Sequence, residues 1–438
     1  MKEPLEGHLR RQLARLDDLP VRDAAAVRAS AAAVVGRRRR ARRSAAVIAC
    51  LALVAGVVGA VAAHRGSPGA ASPAPSTASP TTTTSPAPST TVTSGAPVTT
   101  TLGASVRWTA LPPDPRGVVF HPSAVWTGRD ILVVGGSDLQ GNAVAGASAY
   151  TPATKSWRRL ATPPSGAQTI DPLTVWTGST MLLIGGDNPD HSLLVSAGQA
   201  YDPASDQWRH TADPITGFVT DRSPFVWTGK QLLVWPGDGG SSTMAITPLA
   251  YDPATDAWRS LAPPPIDRRQ SAASVWTGTE WIVWGGTDGT KELSDGAAYD
   301  PATDSWRPLA RSPLTGRRVS AVWTGTEMLV DAGSSGGDPV TGNGELALAD
   351  GAAYDPATDT WRTIAQGPAH PGFAPIWTGT YMIMFAKGSG VVYDPAHDTW
   401  TGCCDERGPF GTPVWTGTEA IVAGGADATS GGAVFSVP

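Results

Sequence analysis

Two short motifs alternate along the C-terminal three quarters of this 438-residue chain. One leads from a tyrosine through a turn to a tryptophan, as in Tyr251-Asp-Pro-Ala-Thr-Asp-Ala-Trp258, and variants of it return between Tyr150 and Trp157, Tyr201 and Trp208, Tyr299 and Trp306, Tyr354 and Trp361, and Tyr393 and Trp400. The other, Val/Ile-Trp-Thr-Gly, places tryptophans at Trp126, Trp176, Trp227, Trp276, Trp323, Trp377 and Trp415. Both recur about every 50 residues, a period that marks a repeat architecture in which each unit buries its apolar face only against its neighbours.

Within each unit the pattern specifies four short strands and no helix. An apolar run ends in Trp-Thr-Gly, and a second ends in Gly-Gly (Ile131 to Gly136, Met181 to Gly186, Trp281 to Gly286, Ala420 to Gly425). A variable polar connection follows, then Ala-Tyr-Asp-Pro and Trp-Arg-x-Leu. Glycine after threonine accepts positive φ, which suits a first hairpin. Proline presets φ for the second, while the aspartate and threonine side chains bond the turn backbone. Three units depart from the pattern: Trp235-Pro-Gly and Ala332-Gly333 replace Gly-Gly, and a short unit carries Phe385-Ala-Lys.

The first hundred residues have a different composition. Residues 1–43 hold 12 Lys/Arg against 5 Asp/Glu, read as a basic cytosolic arm whose Leu5, Leu9, Leu13 and Leu16 recur at helical spacing. Six arginines (Arg37, Arg38, Arg39, Arg40, Arg42 and Arg43) then abut residues 44–63, a run of 20 uncharged residues that is about 30 Å long as a helix and matches a bilayer core. The expectation is a transmembrane helix with the N-terminus inside and the C-terminus outside. A cleaved signal peptide or a lipoprotein box at Cys50 are the competing readings. Residues 64–103 are dominated by Pro, Ser, Thr, Ala and Val, too poor in apolar bulk to fold, and are expected to form a disordered stalk. Beyond residue 43 the charge balance is 21 Lys/Arg against 33 Asp/Glu, an acidic remainder that argues against nucleic acid as a partner. Three cysteines are too few for a disulfide framework, so stability falls to packing, with 17 tryptophans as the material.

The four-strand unit resembles the kelch repeat over residues 104–438. Strands one and two are joined by a hairpin and end in Gly-Gly, and a separated Tyr and Trp mark strands three and four. The resemblance implies an all-β, seven-bladed kelch-type β-propeller. Trp108, in Val-Arg-Trp-Thr-Ala-Leu, looks like a fourth strand with no blade before it, and the unit from Trp415 to Val437 lacks its fourth strand. The two fragments complete one blade, which predicts an N-terminal strand closing the last blade. The repeat tryptophans (Trp108, Trp126, Trp157, Trp176, Trp208, Trp227, Trp258, Trp276, Trp306, Trp323, Trp361, Trp377, Trp400 and Trp415) are most simply packing between blades.

Antiparallel pairing puts the start of each first strand on the same face as the end of each second strand. Arg116, Arg222, Arg268, Arg269, Arg317 and Arg318 precede first strands, while Asp138, Asp187, Asp238, Asp288 and Asp427 follow second strands. Long connections at 137–147, 187–196, 237–247 and 334–349 lie there too, which makes this the candidate ligand face. Unpaired arginines at the mouth would favour carboxylate or phosphate groups. Arginines matched by aspartates would be architecture and would leave selection to the loops. In kelch units generally arginine occurs at this place, and aspartate after Gly-Gly also caps a turn.

Three functions are weighed: a membrane-anchored binding or scaffolding propeller for a surface protein or glycan, a surface carbohydrate-active or galactose oxidase-like enzyme, and a sensor that signals through the N-terminal arm to a cytosolic partner. Galactose oxidase-like chemistry requires a copper site of His and Tyr with a Tyr–Cys crosslink. Here His121, His191, His210, His370 and His397 are scattered over different units, and Cys403 and Cys404 are the only cysteines after residue 50. No cofactor, metal site or catalytic set is expected. The Cys403-Cys404 pair reads as structural or incidental, with a vicinal disulfide or a bond to another chain as alternatives.

Overall fold

Each motif pair builds one antiparallel sheet, and in sequence order the sheets make seven blades. The computed structural model describes residues 108–436 except 121, 139–141, 165–171, 187–197, 216–218, 221, 238–246, 337–343, 371–374, 387–388, 405–411 and 425–430. The arm, span and stalk expected over residues 1–103 lie outside the described residues. Among the described residues no helix is long and apolar enough to cross a membrane.

Blade one consists of Ser123–Trp126, Ile131–Val134, Ala147–Thr151 and Ser156–Leu160, paired in that order. Blades two to four repeat the plan, from Leu173–Trp176 to Gln207–Thr211, from Phe225–Trp227 to Ala257–Ser260 and from Ala273–Trp276 to Ser305–Pro308. Blade five runs from Ala321–Trp323 to Thr360–Ile364 and carries an extra hairpin, Ser334–Ser335 paired with Leu346–Ala347, inside its long connection. Blade six runs from Ile376–Trp377 to Thr399–Cys404, with a bulge between Gly390 and Val391. Blade seven takes Thr412–Trp415, Glu419–Ala423 and Gly432–Ser436 from the end of the chain and its fourth strand, Trp108–Ala110, from the beginning. Trp108 pairs with Phe435 and Ala110 with Ala433.

The ring closes through side chains as well as backbone. Core clusters span neighbouring blades, and one joins Ile421 and Ala423 of blade seven to Ile131, Val133 and Tyr150 of blade one, with Leu111 of the clasp segment. Trp323 and Trp361 pack against the cluster between blades four and five, and Trp176 and Trp208 against that between blades one and two. Tyrosine and tryptophan on strands three and four are directly opposite, with ring centroids 5.0 Å apart for Tyr251 and Trp258.

Backbone sterics explain the glycines. In blade two, a Cβ at Gly185 would sit 1.9 Å from the carbonyl oxygen of Val219, on the segment that enters blade three, and φ there is +68°. Gly186 N–H donates to that same carbonyl at 3.0 Å. Gly286 does the same to Arg317 O of blade five at 2.7 Å. The second glycine is thus a seam between blades. Trp235, in place of the first glycine of blade three, is fully buried in the cluster that joins blades three and four.

Candidate functional site

The two ends of the ring differ. One carries only short hairpins, and the other carries the connections between second and third strands together with the entry to each first strand.

On the hairpin end, the turn aspartates hold adjacent blades together. Asp256 sits at φ +51°, a left-handed position that Asp tolerates better than most residues. Its Oδ1 accepts the Tyr251 hydroxyl at 2.7 Å and the Ala212 amide of the preceding blade at 2.9 Å. The Trp258 indole completes the latch by donating to Ala212 O at 2.8 Å. Asp206, Asp304, Asp359 and Asp398 repeat this geometry with Ala161, Ala262, Ala310 and Ala365. The Ala212 amide and the Tyr251 hydroxyl hold the Asp256 carboxyl below its ordinary range. Burial, reinforced by Asp256, pushes the Tyr251 hydroxyl up to about 12. Arg307 and Arg362 add bidentate pairs to Glu280 and Glu327 on the same end.

On the loop end the arginines divide into two groups. Arg269 and Arg317 are buried, with no exposed side-chain surface. Arg269 Nη1 donates to Gly285 O at 3.0 Å and Asp295 O at 2.9 Å, and Nη2 to Asp295 Oδ1 at 3.1 Å. Arg317 repeats the arrangement on Ala332 O and Asp350, with a bidentate pair at 2.8 and 2.9 Å. Arg116 reaches Gly135 O, Ser148 Oγ and both carboxylate oxygens of Asp114. In each case the guanidinium closes the end of a second strand, since Gly135, Gly285 and Ala332 are equivalent positions. Burial pulls the Arg269 pKa down against the opposing pull of Asp295. The bidentate bond from Arg317 holds Asp350 low.

Arg318 is also buried. Its Nη2 donates to Gly336 O at 2.7 Å and lies 2.9 Å from Glu345 and 3.8 Å from Glu292, while Nε and Nη1 have no hydrogen-bond partner. Arg222 is exposed and Arg268 half-buried, so these two present surface to solvent.

Of the described aspartates after second strands, Asp288 acts on the buried Arg269 through its charge. Asp138 accepts from Asn142, and Asp288 accepts from Thr290 and Lys291 in its own turn. Burial raises Asp288, but these bonds outweigh it and leave the carboxyl low. Asp187, Asp238 and Asp427 lie outside the described residues. The carboxylates that pair with Arg269 and Arg317, Asp295 and Asp350, stand just before third strands rather than after second ones. Their signal is Asp-Gly-Ala-Ala-Tyr, which occurs in blades four and five, the two units in which Arg-Arg precedes the first strand.

Among the described residues no group of three His, Cys, Asp or Glu is placed to hold a metal ion. His210 lies 2.8 Å from Gln199, His397 2.7 Å from Asp394, and His370 3.5 Å from the buried Asp331. The backbone of Cys403 and Cys404 continues the last strand of blade six, and their side chains lie outside what is described. No protein-family model and no curated protein matches the chain.

Proposed function

We propose that the chain is a membrane-anchored, extracytoplasmic kelch-type propeller that serves as a binding scaffold for a surface protein or glycan, selected by the long connections on the loop end. The observation that carries this reading is the commitment of Arg116, Arg269 and Arg317 to carboxylates and carbonyls of the ring itself. Guanidinium groups held this way are architecture and set a rigid rim. Variable loops on a rigid rim are where recognition residues concentrate. The anchor rests on sequence, from the arginine run followed by the uncharged stretch 44–63.

The test is capture of cell-surface proteins or arrayed glycans by the purified full chain. Replacing connections 137–147, 187–196 and 237–247 with Gly/Ser linkers is expected to abolish capture and to leave the melting temperature within about 4 °C, the shift of roughly 1 to 2 kcal/mol in a domain this large. The double variant Arg222→Gln with Arg268→Gln removes the two less buried arginines of the pre-strand set and reports their share. Capture that survives all these changes refutes the loop end as the binding face.

A further inference from the structure

Each of blades one to six holds one tryptophan at the end of its first strand and another near the start of its fourth. The fourth-strand indoles are committed to the ring. Each lies beside the tyrosine of its own blade and donates to a carbonyl of the preceding one, as Trp208 does to Ala161 O at 2.8 Å. The first-strand indoles, from Trp126 in blade one to Trp415 in blade seven, are half-buried, and among the described residues none donates a hydrogen bond or meets another ring. Nor are their N–H groups sealed in the core, where such a donor ordinarily finds a partner. They open to solvent.

Their place in the ring gathers them. First strands line the axis: those of blades one and two, three and four, and seven and one lie against each other. The Ser123 hydroxyl of blade one donates to Pro172 O at the entry to blade two, and the Ser274 hydroxyl of blade four to Phe225 O of blade three. In every blade the tryptophan is the last residue of that strand, so the seven indoles surround the axis at the hairpin end, opposite the long connections. Packing alone asks for a large apolar side chain there and not for an N–H. Yet all seven units keep tryptophan, although three of them have changed the Gly-Gly that ends the second strand.

The surroundings narrow the ligand. Indole N–H groups only donate, so a partner must be rich in acceptor oxygens, and flat aromatic faces ask for flat C–H faces against them. Of the acids at these hairpins, Asp130, Glu280 and Glu327 are paired with Arg158, Arg307 and Arg362. Glu419 is left to face Arg129 and Lys230 at exposed tips, which gives a cation no net attraction and, screened by solvent, little pull on an anion. The other tips carry the exposed hydroxyls of Ser179, Thr279, Thr326, Thr380 and Thr418. A sugar ring meets these demands, with oxygens around its edge and C–H faces above and below. We infer that the first-strand tryptophans form a collar at the hairpin end of the axis that binds an uncharged saccharide, a second site opposite the loop end.

The test uses the full chain, isotope-labelled at its indole nitrogens and held in a detergent without a sugar headgroup. Single Trp→Phe variants, which keep an aromatic ring between blades, assign the indole N–H signals. In the free chain the first-strand signals are expected to exchange with water faster than the fourth-strand ones. Maltohexaose, cellohexaose, chitohexaose and mannohexaose are then added in turn. At least one is expected to shift first-strand signals saturably and to leave fourth-strand signals in place. Trp227→Phe combined with Trp276→Phe should weaken that binding by roughly 2- to 12-fold for each indole that bonds the sugar. The response should survive replacement of connections 137–147, 187–196 and 237–247, so the collar and the loop end fail independently. No first-strand shift with any of the four sugars, or a shift lost with the loop connections, overturns the inference. A response to tetramethylammonium in place of the sugars also overturns it and makes the collar a cation site. The unmodified chain decides the matter even where a variant fails to fold.

Discussion

The Trp157 indole donates to Pro112 O at 2.8 Å, and Pro112 is the one residue seen in this inter-blade role that has no amide to offer in return. Ala161, Ala212, Ala262, Ala310 and Ala365 each give an N–H to a turn aspartate of the next blade. Blade one, which faces Pro112, has Lys155 where those blades have aspartate, in the same left-handed conformation at φ +50°. Donor and acceptor are missing together, at the joint where the chain meets its own beginning.

That pairing of absences can be reversed. Pro112→Ala combined with Lys155→Asp restores both partners, and the coupling between the two changes should be favourable by about 0.5 to 1.5 kcal/mol, the net contribution of one hydrogen bond. A double-mutant cycle by thermal denaturation measures it. Additive single effects would mean that the joint lacks the latch geometry of the others.

At Asp256 the acceptor, the left-handed backbone and the charge can be separated. Asp256→Ala loses all three and should cost about 1 to 3 kcal/mol, water at the half-exposed carboxylate offsetting part of the loss. Asp256→Asn keeps an Oδ1 acceptor and tolerates positive φ, so it should cost less. Because the Ala212 and Tyr251 bonds depress this carboxyl, its contribution is present above the unfolded value of about 3.9 and is lost as pH falls through the folded one. The gap in melting temperature between the normal chain and Asp256→Ala should therefore close below about pH 4. A gap that persists at pH 2.5 excludes the carboxylate as its source.

Arg317 combines two buried carbonyl contacts with a bidentate ion pair. Arg317→Gln should destabilise the ring by about 3 to 5 kcal/mol, since it leaves Asp350 unpaired and Ala332 O without its donor. Capture by the molecules that remain folded should be preserved. Loss of capture at an unchanged melting temperature would instead make Arg317 part of the ligand site.

Removing residues 104–113 takes away the fourth strand of blade seven, and with it the three backbone pairs to Phe435, Val434 and Ala433. An exposed edge and an unfilled joint should lower stability by several kcal/mol or cause aggregation. An unchanged melting temperature would show that the ring does not need its clasp.

The proposed membrane topology is tested on intact cells. External protease that cuts within residues 64–103 is expected to release a head of roughly 35 kDa, and protection of the head would refute an outward-facing propeller.

Most of the fold was legible because each blade states its own pattern. Thr-Gly, Asp-Pro and the Tyr-to-Trp spacing fix hairpins locally, and an orphan strand at each end of the repeat, near Trp108 and Phe435, betrays the closure. The candidate site was less legible, because its pairings follow the third dimension. Asp288 is nearer than Asp295 to Arg269 in sequence, yet the guanidinium turns toward the root of the third strand, where Asp295 offers both a carboxylate and a carbonyl. Asp331 and His370 belong to different segments and to no motif.

The clasp also orders events in time. Trp108 leaves the ribosome about three hundred residues before Phe435, an interval on the order of 15 to 65 s at typical elongation rates. Until Phe435 arrives, blade seven does not exist, blade one has no neighbour on one side, and the apolar faces of Ile131 and Val133 wait without their partners Ile421 and Ala423. A ring of this design cannot close until its last blade has been made. Its vulnerable period is the one between the first blade and the last, when that face of blade one is still uncovered.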